Sequence, residues 1–102
     1  MLKTIRVKQY NYGIVLQFEV QDAEGNPRDL TGLEVVLKMW RGETVKALTC
    51  TVTDAANGLV SCTVTDQDFF DTVGVFLAEL ELRGQDYVED TESFLIEVVE
   101  SQ

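Results

Sequence analysis

The stretch GIVLQFEVQ, residues 13–21, decides the fold class. Ile14, Leu16, Phe18 and Val20 fall on one side of an extended chain, with Val15, Gln17 and Glu19 on the other. Successive side chains of a pleated strand point to opposite faces, so this period of two reads as a half-buried strand. An α-helix would need apolar residues recurring at a period of about 3.6, and that pattern is absent.

The same alternation recurs along the chain. LEVVLKMW sets Leu33, Val35, Leu37 and Met39 against Glu34, Val36, Lys38 and Trp40. VKALTCTV turns Leu48, Cys50 and Val52 inward, and GLVSCTVT does so with Val60, Cys62 and Val64. VFLAELELR offers Phe76, Ala78, Leu80 and Leu82; SFLIEVVE offers Phe94, Ile96 and Val98. With Ile5 and Val7 at the start and DYVEDT near the end, seven or eight short strands are expected. RGE, DAANG and RGQD punctuate the runs with turn-forming glycines, which suits an all-β sandwich or barrel. TDQDFFDTVG is the exception: Thr65 or Asp66 can cap a single helical turn near 66–71, with Phe69 and Phe70 inward.

The chain has 102 residues, 45% of them hydrophobic, which fits one domain over residues 1–102. No run reaches the roughly 20 apolar residues of a membrane helix. MLKTIRVKQY interrupts its apolar residues with Lys3, Arg6 and Lys8, so a soluble chain without a signal peptide is expected. Net charge is -10, and its distribution is lopsided. Residues 1–51 hold seven Lys/Arg against six Asp/Glu; residues 52–102 hold only Arg83 against twelve acids. Such a field repels phosphate backbones and anionic lipids, which argues against nucleic acid and membrane as partners.

Catalytic chemistry finds little support. Without histidine there is no Ser-His or Cys-His pair, and no phosphate-cradling glycine loop or H-E-x-x-H motif is present. Outward carboxylates such as Glu79 and Glu81 suit a solvated sheet face. The expectation is a non-enzyme with no catalytic residues and no cofactor. DAEGNPRDLTGL, residues 22–33, begins like an EF-hand loop with Asp22, Glu24 and Asn26. It carries Pro27 where that loop needs glycine and Leu33 where it needs a bidentate Glu, so no metal site is expected. If DAANG closes a hairpin, Cys50 faces Cys62 on the inward side. Directly opposed Cβ atoms lie about 4.5 to 5.5 Å apart, long for a disulfide, which favours two buried thiols over a bridge.

Apolar residues on nominally outward positions give the one pointer toward a site. Val15, Val36 and Trp40 lie on outward strand faces, as do Leu95 and Val99, and Tyr10 and Tyr12 precede the second strand. Clustered on one face, these seven would form a protein-docking surface.

The order of features also resembles the N-terminal domain of the phage baseplate upper protein family. GIVLQFEVQD is followed by EGNPRDLTG, then EVVLKM, a hairpin ending NGLVSCTVTDQDF, GVFLAELEL and a closing SFLIEVVES. Gly25, Pro27, Leu30, Thr31 and Gly32 match as positions that shape the fold. The resemblance implies an immunoglobulin-like antiparallel β-sandwich that anchors a fibre or receptor-binding device to a phage tail. Its expected partners are other virion proteins, with a homo-oligomer in the particle, assembled in the bacterial host cytoplasm with cysteines reduced. With no heptads or fibre among the 102 residues, the expectation narrows to an adaptor, a connector or an excised anchoring domain. The alternative is a binding module of a bacterial surface protein or adhesin, with carbohydrate as one ligand class.

Overall fold

Alternation becomes strands where the sequence places it, and one run splits in two. The computed structural model describes residues 3–101. The strands are β1 (Thr4–Lys8), β2 (Ile14–Glu19), β3 (Glu34–Arg41), β4 (Thr44–Thr49), β5 (Thr51–Asp54), β6 (Leu59–Val64), β7 (Gly74–Arg83), β8 (Val88–Asp90) and β9 (Phe94–Val99). One sheet runs in the order β1-β9-β7-β3-β4, with β8 extending the line of β9 along β7; the other runs β2-β6-β5. The fold is an all-β sandwich.

Among the described residues nine strands replace the expected seven or eight, because VKALTCTV changes sheet midway. Its first half, β4, pairs with β3, while its second half, β5, pairs with β6. Cys50 occupies the crossing, where its backbone N–H donates to Val35 O at 2.8 Å. The anticipated hairpin register holds, with Thr51 opposite Ser61 and Val52 opposite Val60. The expected pair of free thiols does not: Cys50 and Cys62 are joined in a disulfide, their Cα atoms 4.5 Å apart. Cys50 faces Cys62 at the close Cα spacing of a non-hydrogen-bonded antiparallel pair, which a disulfide spans.

The sheets are not wholly antiparallel. β1 lies parallel to β9, from Thr4 beside Leu95 to Lys8 beside Val99. No hairpin joins the two strands, so no turn dictates their relative direction.

A helical turn does occur, but not near 66–71. Residues 67–70 form a turn closed by Phe69 N–H donating to Asp66 O at 3.1 Å, with Asp66 Oδ1 accepting from the Asp68 N–H at 2.8 Å. The anticipated inward aromatics are there, Phe69 and Phe70 packing edge to face with ring centroids 5.0 Å apart. The 3-10 turn is Ala55–Asn57, between β5 and β6.

The long β2–β3 connection closes one end of the sandwich through its own carboxylates. Asp22 Oδ1 accepts from the N–H groups of Glu24 and Asn26, and Asp29 Oδ1 from the N–H and hydroxyl of Thr31. Asp22 therefore serves as a turn former, a common use of this side chain. Pro27 pairs with Gln21, flanked by the bonds Asp22 N–H to Asn26 O and Arg28 N–H to Val20 O. Its missing donor falls at a position that needs none. Leu30 drops into the core from this loop.

The core lies between the sheets. Val35, Leu37 and Met39 from β3 and Phe76, Ala78 and Leu80 from β7 meet Val60, Cys62 and Val64 from β6, with Phe70 and Ile96 beside them. No polar or charged residue is buried with them among the described residues.

Candidate docking face

Strand register sets an apolar row across the outer face of the larger sheet. Trp40 on β3 stands opposite Val45 on β4 and Leu77 on β7; Leu77 stands opposite Leu95 on β9, which neighbours Thr4 on β1. The row spans five strands, and four of its five members are apolar. Val45 is 68% exposed, Trp40, Leu77 and Leu95 are half-buried, and none belongs to the core. Each points outward for a local reason. The inward positions of these strands are taken by Met39, Phe76, Ala78 and Ile96, and alternation assigns their neighbours to the other side.

Charged side chains border the row on both sides. Lys38 Nζ bridges Glu81 Oε1 at 3.2 Å and Asp90 Oδ1 at 3.3 Å. Arg83 Nε donates to Glu81 Oε2 at 2.6 Å, and Arg83 Nη1 lies 3.5 Å from Glu34. The Arg83 guanidinium, with help from Lys38, holds the Glu81 carboxyl below its usual range. Ser93 Oγ donates to Glu79 Oε2 at 2.9 Å. Beyond the row on the opposite side, Arg6 Nε pairs with Glu97 Oε1 at 2.8 Å. An apolar centre with a polar, ion-paired rim is the anatomy of a protein interface, and Trp is the residue type most often anchoring one.

The seven residues singled out in the sequence do not share this face. Trp40 and Leu95 lie in the row. Val99 is on the same face of β9 beyond Glu97, beside Lys8. Val36 also points outward but is only 5% exposed, flanked in register by Thr49 and Glu81 on a central strand. Val15, 52% exposed, stands opposite Thr63 on the second sheet. Tyr10 and Tyr12 are exposed in the β1–β2 connection, where Tyr10 adopts a left-handed φ of 66° and its N–H donates to Phe70 O at 2.9 Å. Val45 and Leu77 were missed. Alternation alone places both outward; that they flank Trp40 is visible only once the register is known.

Comparison with known proteins agrees with this architecture. Residues 2–102 match the family model described as the BppU N-terminal domain, BppU being the baseplate upper protein. Nine solved chains match. One of them, the N-terminal domain of phage TP901-1 ORF48, superposes with a TM-score of 0.65 at 20% identity, covering 97% of this chain and 85% of that chain. No curated protein matches.

Proposed function

Because the chain belongs to the baseplate upper protein N-terminal domain family, and so to the structural proteins of the phage tail, we propose that it works by docking onto a neighbouring virion protein through the outer face of its larger sheet. The observation that carries this reading is the row Val45, Trp40, Leu77 and Leu95, aligned by register and rimmed by ion pairs. A flat apolar strip with no deep cleft fits another protein surface better than it fits a small molecule. The rim supplies orientation, because misplaced charges across an interface are costly. Assembly in the host cytoplasm and repetition of the chain around the particle belong to the same proposal.

Hydroxyl-radical footprinting tests it. Trp40 is oxidised in the free chain and protected in intact phage particles containing it. Equal labelling of Trp40 in both states would refute docking through this face.

A further inference from the structure

A second surface lies along one side of the sandwich, where β1 ends the larger sheet and β2 ends the smaller one. Between them runs an apolar cleft of about 450 Å³ floored by Ile5, Val7, Ile14 and Leu16. Ile5, Ile14 and Leu16 are only partly buried, so the core is not sealed on this side. β1 bonds β9 through alternate residues: Lys3 O accepts from the Leu95 N–H, and the Gln9 N–H donates to Val99 O. By that alternation the backbone groups of Thr4 and Arg6 face away from β9, toward the open edge.

Charge marks the same edge. The outward side chains of β1 are Thr4, Arg6 and Lys8; Lys3, the residue before it, shares the parity of Ile5 and lines a hollow with Phe18 and Glu19 of β2. Arg28, Lys38, Lys46 and Arg83 are ion-paired elsewhere on the protein. Lys3 and Lys8 make no ion pair among the described residues, although the chain carries a net charge of -10. Edge strands are commonly blunted by charged side chains, lysine above all, by proline or by bulges; β1 carries its charges on Arg6 and Lys8, whereas its inward residues, Ile5 and Val7, are apolar. The outward cations repel only strands of like charge. A second copy's β1 laid against this edge would set cation against cation.

We propose that β1 is a β-augmentation site for an extended segment of a partner protein that alternates apolar and acidic residues. Its backbone would pair with Thr4 and Arg6, its apolar side chains would enter the cleft over Ile5 and Leu16, and its carboxylates would lie outward beside Arg6 and Lys8, with Lys3 near the end of the segment. The site meets the Trp40 row at Thr4 and Arg6, but its backbone edge and its cleft lie off that face, so it does not depend on docking through Trp40.

The test uses a seven-residue peptide alternating valine and glutamate, with a control in which lysine replaces glutamate. Hydrogen exchange on the whole chain should slow at the Thr4 and Arg6 amides with the acidic peptide and not with the basic one. The double variant Lys3→Glu, Lys8→Glu should weaken binding of the acidic peptide at least tenfold while leaving the melting temperature near wild type. Equal binding of both peptides, or no protection of Thr4 and Arg6 at millimolar acidic peptide, would overturn the proposal. So would protection that appears without peptide as protein concentration rises, which would assign the edge to a second copy.

Discussion

Trp40 and Leu77 stand opposite each other across β3 and β7 on the outward side of the sheet, both half-buried and neither in the core. A charge introduced there should act on association far more than on folding. Trp40→Glu is expected to weaken incorporation into particles by tenfold or more, as truncation of an interface Trp commonly does. The melting temperature should fall by no more than a few degrees, the usual range for a surface change in a domain this size. A collapse in stability would instead assign Trp40 to the core.

The strands and their inward faces were legible because alternation survives in almost every run. Ile14 to Val20, Val35 to Met39 and Phe76 to Leu82 all point as their period requires. Three things depend on tertiary pairing and were not legible. The chain leaves one sheet for the other at Cys50, yet VKALTCTV carries no break, since both halves keep the same parity. Val36 reads as exposed from parity, but its seat on a central strand buries it. The proposed docking face was half visible: parity turns Trp40 and Leu95 outward, but their alignment with Val45 and Leu77 rests on the register of three pairings, which no local signal encodes.

Phe76 and Leu80 lie on the inward face of β7, 0% and 3% exposed. Truncating either to Ala removes packed methylene groups and leaves a cavity that the surrounding sheets fill only in part. Urea denaturation should show a loss of roughly 2 to 5 kcal/mol for each. A loss below about 1 kcal/mol would mean that the sheets collapse onto the space.

The Cys50–Cys62 bond ties the crossing segment of the larger sheet to β6 of the smaller one, across a separation of 12 residues. Closing a loop of this length restricts the unfolded chain and contributes about 3 kcal/mol by the chain-entropy estimate. Chain denatured without reductant should show no reactive thiol, and the double variant Cys50→Ala, Cys62→Ala should unfold at lower urea than the oxidised wild type. Two titratable thiols per chain would restore the reduced pair anticipated from the sequence.

Gly58 and Gly42 both adopt left-handed backbone angles, φ +69° and +59°. Space separates them. A Cβ at Gly42 meets nothing, so Gly42→Ala should cost only the conformational penalty of about 1 to 2 kcal/mol. A Cβ at Gly58 would press into Val20 O and lie 2.9 Å from Arg28 O, backbone atoms held by the Val20 N–H bond to Gly58 O and the Arg28 N–H bond to Val20 O. Gly58→Ala should therefore destabilise clearly more than Gly42→Ala in parallel thermal melts; equal losses would show that the β2–β3 connection yields freely.

Acid should weaken the fold through Glu81. Its carboxylate accepts from Arg83 Nε at 2.6 Å and faces Lys38 Nζ at 3.2 Å, and these cations hold its folded pKa below the ordinary value of 4.5. Asp71, beside Lys46 and Thr72, is lowered in the same direction. A group with a depressed folded pKa binds its proton more readily when the chain is unfolded. The stability it contributes is complete above the unfolded value and drains away as pH falls through the folded one. Unfolding free energy should thus decline from pH 5 downward, and Glu81→Gln should flatten that decline by removing one titrating group while keeping the side chain's shape. Urea titrations at pH 7, 5 and 3 compare the two. Parallel curves for wild type and variant would show that the Arg83–Glu81–Lys38 cluster contributes nothing to the pH dependence, leaving Asp71 and the other carboxylates to account for it.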